Sequence, residues 1–170
     1  MRRRAIRALT LGFPNVGKSA LINRLVGKKV VQSARRAGVT RSLQWVRMGQ
    51  ELDLLDSPGV LPPRLDNQAA ALRLAICDDI GQAAYDVEAV TIELLKILKN
   101  SELVEYKQNS TNILNQRYGI PIPKNQKDSY QWLIEISKLH TSGDTLRMSQ
   151  RILDDFRKNL LGLISLEFPQ

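Results

Sequence analysis

Ala5-Ile6-Arg7-Ala8-Leu9-Thr10-Leu11-Gly12-Phe13-Pro14-Asn15-Val16-Gly17-Lys18-Ser19-Ala20-Leu21-Ile22-Asn23-Arg24-Leu25-Val26 is the stretch on which the fold turns. Ala5 to Leu11 reads as a buried strand and Ala20 to Val26 as a helix. Between them, Gly12 to Ser19 has the form G-x-x-x-x-G-K-[ST]. Strand, glycine-rich loop, helix is the setting in which backbone N–H groups converge on phosphate oxygens. In such a loop Lys18 supplies a point charge for the outer phosphates, and the Ser19 hydroxyl is placed to hold Mg²⁺. The plain alternative is a glycine-rich turn that binds nothing.

Working outward, Leu43 to Met48 alternates and is rich in β-formers. Met48-Gly49-Gln50-Glu51 reads as a hairpin-like turn, and Leu52, Leu54 and Leu55 as a second strand entering the core. That strand runs into Asp56-Ser57-Pro58-Gly59, a D-x-x-G pattern as found in GTPases, 38 residues after Lys18. An Asp at a strand's C-terminal end can support the shell of a Mg²⁺ ion, and the Gly59 N–H can approach a γ-phosphate. The same tetrapeptide is also an ordinary turn. Between the two motifs, Ala37-Gly38-Val39-Thr40-Arg41 offers Thr40 as the residue whose hydroxyl reaches Mg²⁺ and whose N–H reaches the γ-phosphate. Val60 stands where many GTPases carry the glutamine that orients the attacking water, so the catalytic water-positioning group is unknown. No Asn-Lys-x-Asp for guanine recognition follows. Asn125-Gln126-Lys127-Asp128 has its Lys one place late and is better explained by Asp128 capping a helix.

Charge divides the chain. Residues 1–50 hold twelve Lys or Arg and no Asp or Glu, and residues 51–170 hold thirteen basic and seventeen acidic residues, which together give the net +8. The basic half exceeds what one nucleotide needs and points to a polyanion such as RNA; a solvated basic face is the alternative. Arg2, Arg3, Arg4, Lys28, Lys29, Arg35 and Arg36 are the candidate RNA contacts. No apolar run approaches the length of a membrane span, and no secretory signal is expected, since Arg2-Arg3-Arg4 leads at once into the first strand. Cys77 and His140 are the only residues of their types. They make a poor case for a metal or nucleophile site, so Cys77 is expected to be small buried packing and His140 an exposed or capping residue.

From Asn67 onward the pattern is helical. Helices are expected over Gln68–Asp78, Asp86–Leu98 (Val87, Val90, Leu94, Ile97 and Leu98 inward), Glu102–Tyr118, Ser129–Leu139 (Trp132, Ile136 and Leu139 inward) and Asp144–Leu160 (Met148, Ile152, Phe156 and Leu160 inward). Asp144 is the expected N-cap and Gly162 the stop, with a linker at Ile120-Pro121-Ile122-Pro123. The fold class read from this order is α/β, a partial P-loop NTPase over residues 1–75 followed by a small all-α domain over 76–170.

Gly12 to Leu25, Gly38-Val39-Thr40-Arg41 and Leu54 to Val60 together resemble the circularly permuted GTPases, and the similarity is greatest to the ribosome biogenesis GTPase A family. Leu72 to Gly81 and Gly162 to Glu167 also look like that family, so the resemblance covers nearly the whole chain. It implies a circularly permuted G domain in which the base-recognition motifs precede the phosphate loop, so that this chain corresponds to the C-terminal portion. It implies GTP as substrate, hydrolysed with Mg²⁺. Phosphate binding would fall to Asn15, Val16, Gly17, Lys18, Ser19 and Ala20, with Thr40 and Gly59. Mg²⁺ would be held by Ser19, Thr40 and Asp56, and K⁺ by Asn15, where an ion offsets the absent glutamine by adding positive charge. The implied partners are the large ribosomal subunit precursor and its rRNA, and the implied location is the cytoplasm or a plastid. A truncated nucleotide- and RNA-binding module without hydrolysis, and a P-loop ATPase or kinase, are the rival readings.

Overall fold

The computed structural model describes residues 4–33, 40–61, 65–100, 113–121, 128–162 and 164–167. Their elements are β1 (Ile6–Thr10), α1 (Lys18–Val26), β2 (Gln44–Met48), β3 (Leu52–Asp56), α2 (Gln68–Ile76), a 3₁₀ turn (Gln82–Ala84), α3 (Val87–Asn100), α4 (described over 113–118), α5 (Ser129–His140) and α6 (Thr145–Arg157). They form two compact units, Met1–Asn67 with Asp78–Gly81, and Gln68–Cys77 with Gln82–Gln170. The division by packing thus falls ahead of α2, where the sequence reading put it after residue 75, because α2 packs on α3.

The first unit is a three-stranded sheet in the order β1-β3-β2. β2 and β3 form an antiparallel hairpin that pairs Met48 with Leu52, and its turn is eased by Gly49 at φ 67°. β1 lies parallel to β3 in the register Ile6 to Leu52 through Thr10 to Asp56. A parallel pair needs a crossover, here containing α1. Side chains alternate across the sheet. One face sends Ala8, Val46, Met48, Leu52 and Leu54 against Ile22 and Val26 of α1 and against Val30 and Val31. The opposite face carries Arg7, Leu9, Trp45, Arg47, Asp53 and Leu55. β1 was expected to be buried, but Ile6 is 70% and Leu9 49% exposed. β1 is an edge strand among the described residues, with Ile6 at its first position, and Leu9 lies on the face opposite α1.

The second unit is helical. α3 and α5 both pack on α6, α3 also on α2 and α5. Val90, Leu94, Leu95, Leu98, Leu114, Tyr118, Trp132, Leu133, Ile136, Met148, Ile152 and Leu153 are all buried. Asp144 caps α6 by accepting from Arg147 N at 2.8 Å, as expected, and Asp86, read as the first helical residue, instead caps α3 by accepting from Glu88 N at 2.9 Å. Asp128 stands at the N-cap of α5 without a side-chain cap bond. α6 stops at Arg157, before Gly162, so Leu160 falls beyond the helix and is exposed. Leu139 also faces out, and Cys77 is exposed just past the end of α2, against the expectation of burial. Most of the predicted Glu102–Tyr118 helix and Ile122-Pro123 lie outside the described residues. The polar anchor of the bundle is Asp155, which accepts from Arg117 Nε and Nη2 and from the Tyr118 hydroxyl, each at 2.7 Å. Burial pushes the Asp155 carboxyl up, but Arg117 and Tyr118 outweigh it and hold the group below its ordinary value.

Candidate functional site

The glycine-rich loop leaves β1 and turns into α1 through two left-handed residues, Asn15 at φ 60° and Gly17 at φ 92°. Gly17 takes that conformation without steric penalty and Asn is among the side chains that tolerate it. α1 then starts at Lys18 with no side-chain cap bond and no acidic residue in its first turn. Its leading N–H groups and the positive end of its dipole are therefore available to an anion. Lys18 Nζ folds back over the loop, donating to Gly12 O at 3.1 Å and Phe13 O at 2.7 Å.

Ser19 is the second residue of α1 and is 9% exposed. Its Oγ donates to Asp56 Oδ2 at 2.7 Å and lies 3.0 Å from Thr40 Oγ1. A hydroxyl has one proton. With that proton given to an acceptor-only carboxylate, the Thr40 hydroxyl must be the donor in the second contact. Asp56 is 1% exposed, and its other oxygen, Oδ1, is buried with no hydrogen-bond partner among the described residues. An orphaned carboxylate oxygen is costly to bury. Two hydroxyls and one carboxylate are hard oxygen donors, and Mg²⁺ binds through such a sparse protein set, completing its shell with water and phosphate. Among the described residues no three His, Cys, Asp or Glu gather as a metal cage, so the donor set fits Mg²⁺ and not a thiolate–imidazole metal.

Cross-links fix this cluster. The Thr10 hydroxyl donates to Leu55 O at 3.0 Å, and the Ser57 hydroxyl donates to Thr10 O, so the C-terminal ends of the parallel strands are tied side to side. Val60 N donates to Gly12 O at 3.1 Å, and Gly59 packs on Pro14 so closely that an added Cβ would sit 2.3 Å from Pro14 Cα. Only glycine fits there. Behind the loop, Asn23 clasps the chain leaving α1. Its Nδ2 donates to Val31 O at 2.9 Å, and its Oδ1 accepts from Val30 N at 2.8 Å and Val31 N at 3.0 Å. Sequence reasoning passed over Asn23. Its one signal was a polar amide in the run Leu21-Ile22-Asn23, on a helix whose inner face is Ile22 and Val26.

Of the residues singled out from sequence, Ser19, Thr40 and Asp56 come together, and Lys18, Gly59 and Val60 surround the same loop. Asn15 lies at the loop's left-handed turn, with Val16 exposed beside it and Ala20 exposed on α1. Arg4, Lys28 and Lys29 are exposed. Arg2, Arg3, Arg35 and Arg36 lie outside the described residues. His140 is exposed and its Nε2 meets Tyr118 O at 3.0 Å, which is a structural contact.

Comparison with known proteins gives this geometry a family. Residues 7–118 match the family model described as 50S ribosome-binding GTPase. The chain is 33% identical over 174 residues to ribosome biogenesis GTPase A of Bacillus pumilus, covering 100% of this chain and 59% of that protein. It is 41% identical over 105 residues to ribosome biogenesis GTPase A of Priestia megaterium, covering 62% of this chain and 36% of the relative. Among solved structures, the GDP-bound structure of TM YlqF shares its fold with a TM-score of 0.57 at 22% identity, covering 98% of this chain and 62% of that one. The chain thus spans about three fifths, 59%, of the full-length relative from Bacillus pumilus.

Proposed function

Because the chain belongs to the 50S ribosome-binding GTPase family, we propose that it is the phosphate- and magnesium-binding part of a circularly permuted G domain, joined to a helical domain. In this reading the complete protein hydrolyses GTP during assembly of the large ribosomal subunit and contacts rRNA through its basic half. The observation that carries the reading is the convergence of Ser19, Thr40 and the buried Asp56, drawn from three distant places in the chain, beside an uncapped helix N-terminus.

The residues divide the work as follows. Gly17, Ser19 and Ala20, with Asn15 and Val16, present backbone N–H groups to the phosphates, and Lys18 exchanges its bonds to Gly12 and Phe13 for phosphate oxygens. Ser19 and Thr40 give hydroxyl oxygens to Mg²⁺, and Asp56 accepts from its shell. Mg²⁺ held by these residues would supply neutralisation of the phosphate charge. Gly59, packed on Pro14 of the loop, would offer its N–H to a γ-phosphate. Asn15 is the candidate K⁺ ligand. Val60 offers no amide or carboxylate for a water, so positioning falls to the ion, the backbone or a partner.

Lys18→Ala should weaken binding of a fluorescent GTP analogue by at least tenfold; unchanged affinity would sink the phosphate-loop assignment. Turnover that ignores replacement of K⁺ by Na⁺ would rule out the ion role of Asn15. ATP that competes as well as GTP would favour a P-loop ATPase instead. A second reading has its own support. The chain contains no Asn-Lys-x-Asp and spans 59% of the relative from Bacillus pumilus, so these residues alone would hold nucleotide and RNA without turnover. Single-turnover hydrolysis by this chain and by a form extended upstream separates the two.

A further inference from the structure

Asp56 is the last residue of β3, and both of its chain neighbours are tied to one residue of β1. That residue is Thr10, its partner in the parallel register. The Thr10 hydroxyl donates to Leu55 O at 3.0 Å, and Thr10 O accepts from the Ser57 hydroxyl. Strand ends are where pairing frays first. Here two side-chain bonds carry the lateral pairing up to the carboxylate and past it, and Asp56 and Ser57 are both buried. Residues paired across a sheet send their side chains to the same face, so the Thr10 hydroxyl emerges on the same face as the Asp56 carboxylate. It nevertheless gives its proton to Leu55 O. Asp56 Oδ2 takes the Ser19 proton at 2.7 Å, and Oδ1 keeps no hydrogen-bond partner among the described residues.

We infer that Thr10 and Ser57 are positioning residues for the magnesium site. They hold Asp56 from both sides, and Thr10 spends its proton on the backbone so that Oδ1 is left for the ion's shell. This rests on the reading that Asp56 serves Mg²⁺. Neither hydroxyl is a ligand, since each has its one proton committed to a main-chain oxygen; both act through Asp56. Groups that orient a member of a metal site weigh on affinity without touching the metal. Mg²⁺ demands near-octahedral geometry, whereas Ca²⁺ accepts irregular shells. A carboxylate loosened by loss of either tie would therefore serve Mg²⁺ worse than Ca²⁺. A plain strand-end tie would not discriminate between the two ions.

The test uses the whole chain with a fluorescent GDP analogue, titrated with Mg²⁺ and separately with Ca²⁺, and repeated in EDTA. Thr10→Val keeps the branched shape and removes one hydroxyl; Ser57→Ala removes the other. Each should weaken the response to Mg²⁺ about tenfold and to Ca²⁺ less than about threefold. Affinity for the analogue in EDTA should change less than about twofold. Thr10→Ser and Ser57→Thr should restore most of the Mg²⁺ response. An unchanged Mg²⁺ response in both deletion variants overturns the proposal. So does an equal loss with Mg²⁺, with Ca²⁺ and in EDTA, which would make the ties structural only. Should Thr10→Val fail to fold, seen in urea unfolding followed by Trp45 emission, Ser57→Ala decides by the same ratio. Asp56→Ala separates the two readings. If it keeps the full Mg²⁺ response, the magnesium reading falls and the proposal with it. If it loses that response while Thr10→Val and Ser57→Ala keep it, only the proposal falls.

Discussion

Gly59 and Asp56 show how little freedom single residues have at this site. A Cβ at Gly59 would meet Pro14 Cα at 2.3 Å and Pro14 N at 2.4 Å, both backbone atoms that cannot swing aside. Gly59→Ala should therefore hold the two loops apart and break the Val60 N to Gly12 O bond, seen as faster hydrogen exchange at the Val60 amide. Asp56 is the reverse case, a buried group short of a partner. Asp56→Ala should cost more than tenfold in nucleotide affinity with Mg²⁺ and little in EDTA, by calorimetry; an equal loss in both would mean that Asp56 is only structural. The local motif was legible because its mechanics reside in contiguous residues, Gly12 to Ser19. Thr40 was legible only by position, since its spacing from Ser19 carries no geometric information until the chain folds. Asn23 was hidden because its partners, Val30 and Val31, are backbone groups that no side-chain pattern reports.

At the scale of elements, alternation foretold the β2–β3 hairpin, and the 3.6-residue period foretold α3, α5 and α6. The period fails where helices end. Leu139 and Leu160 fit an inward stripe, yet one lies in the last turn of α5 and the other beyond α6, and both are exposed. The period also could not show Arg157, whose Nε donates to Ile76 O at 2.9 Å and Nη2 to Ala75 O at 2.8 Å, closing the C-terminus of α2 from a remote helix. Asp144→Ala should lower the stability of the helical unit by about 1 kcal/mol through loss of the α6 cap, measured by urea unfolding. Asn23→Ala leaves the Val30 and Val31 amides without their acceptor, costs about 1–3 kcal/mol, and should raise hydrogen exchange there before it affects the hairpin.

For the whole molecule, each unit has its own reporter, Trp45 in the sheet and Trp132 in the bundle. Acid should act on the bundle through Asp155. Its pKa is lowered in the folded state, so its contribution is complete above the unfolded carboxylate value of about 3.9 and is lost as pH falls from there through the lower folded value. In a Trp45→Phe background, Trp132 emission should show acid-sensitive unfolding that Asp155→Asn flattens; the same pH dependence in both would assign it to other groups. The mixed α/β order with helices toward the C-terminus and the charge division were legible in the sequence. The exposure of β1 was not, because an apolar strand reads the same at the centre of a sheet and at its edge. The parallel pairing of β1 with β3 also sets an order of events during synthesis. Residues 6–10 pair with 52–56, which are made more than forty residues later, and a non-local closure of this kind is slow. A nascent chain can show its glycine-rich loop long before that loop has Asp56 beside it. On the proposed reading, nucleotide capture coupled to Mg²⁺ would then be a late event, reporting that the hairpin has left the ribosome and closed on the first strand.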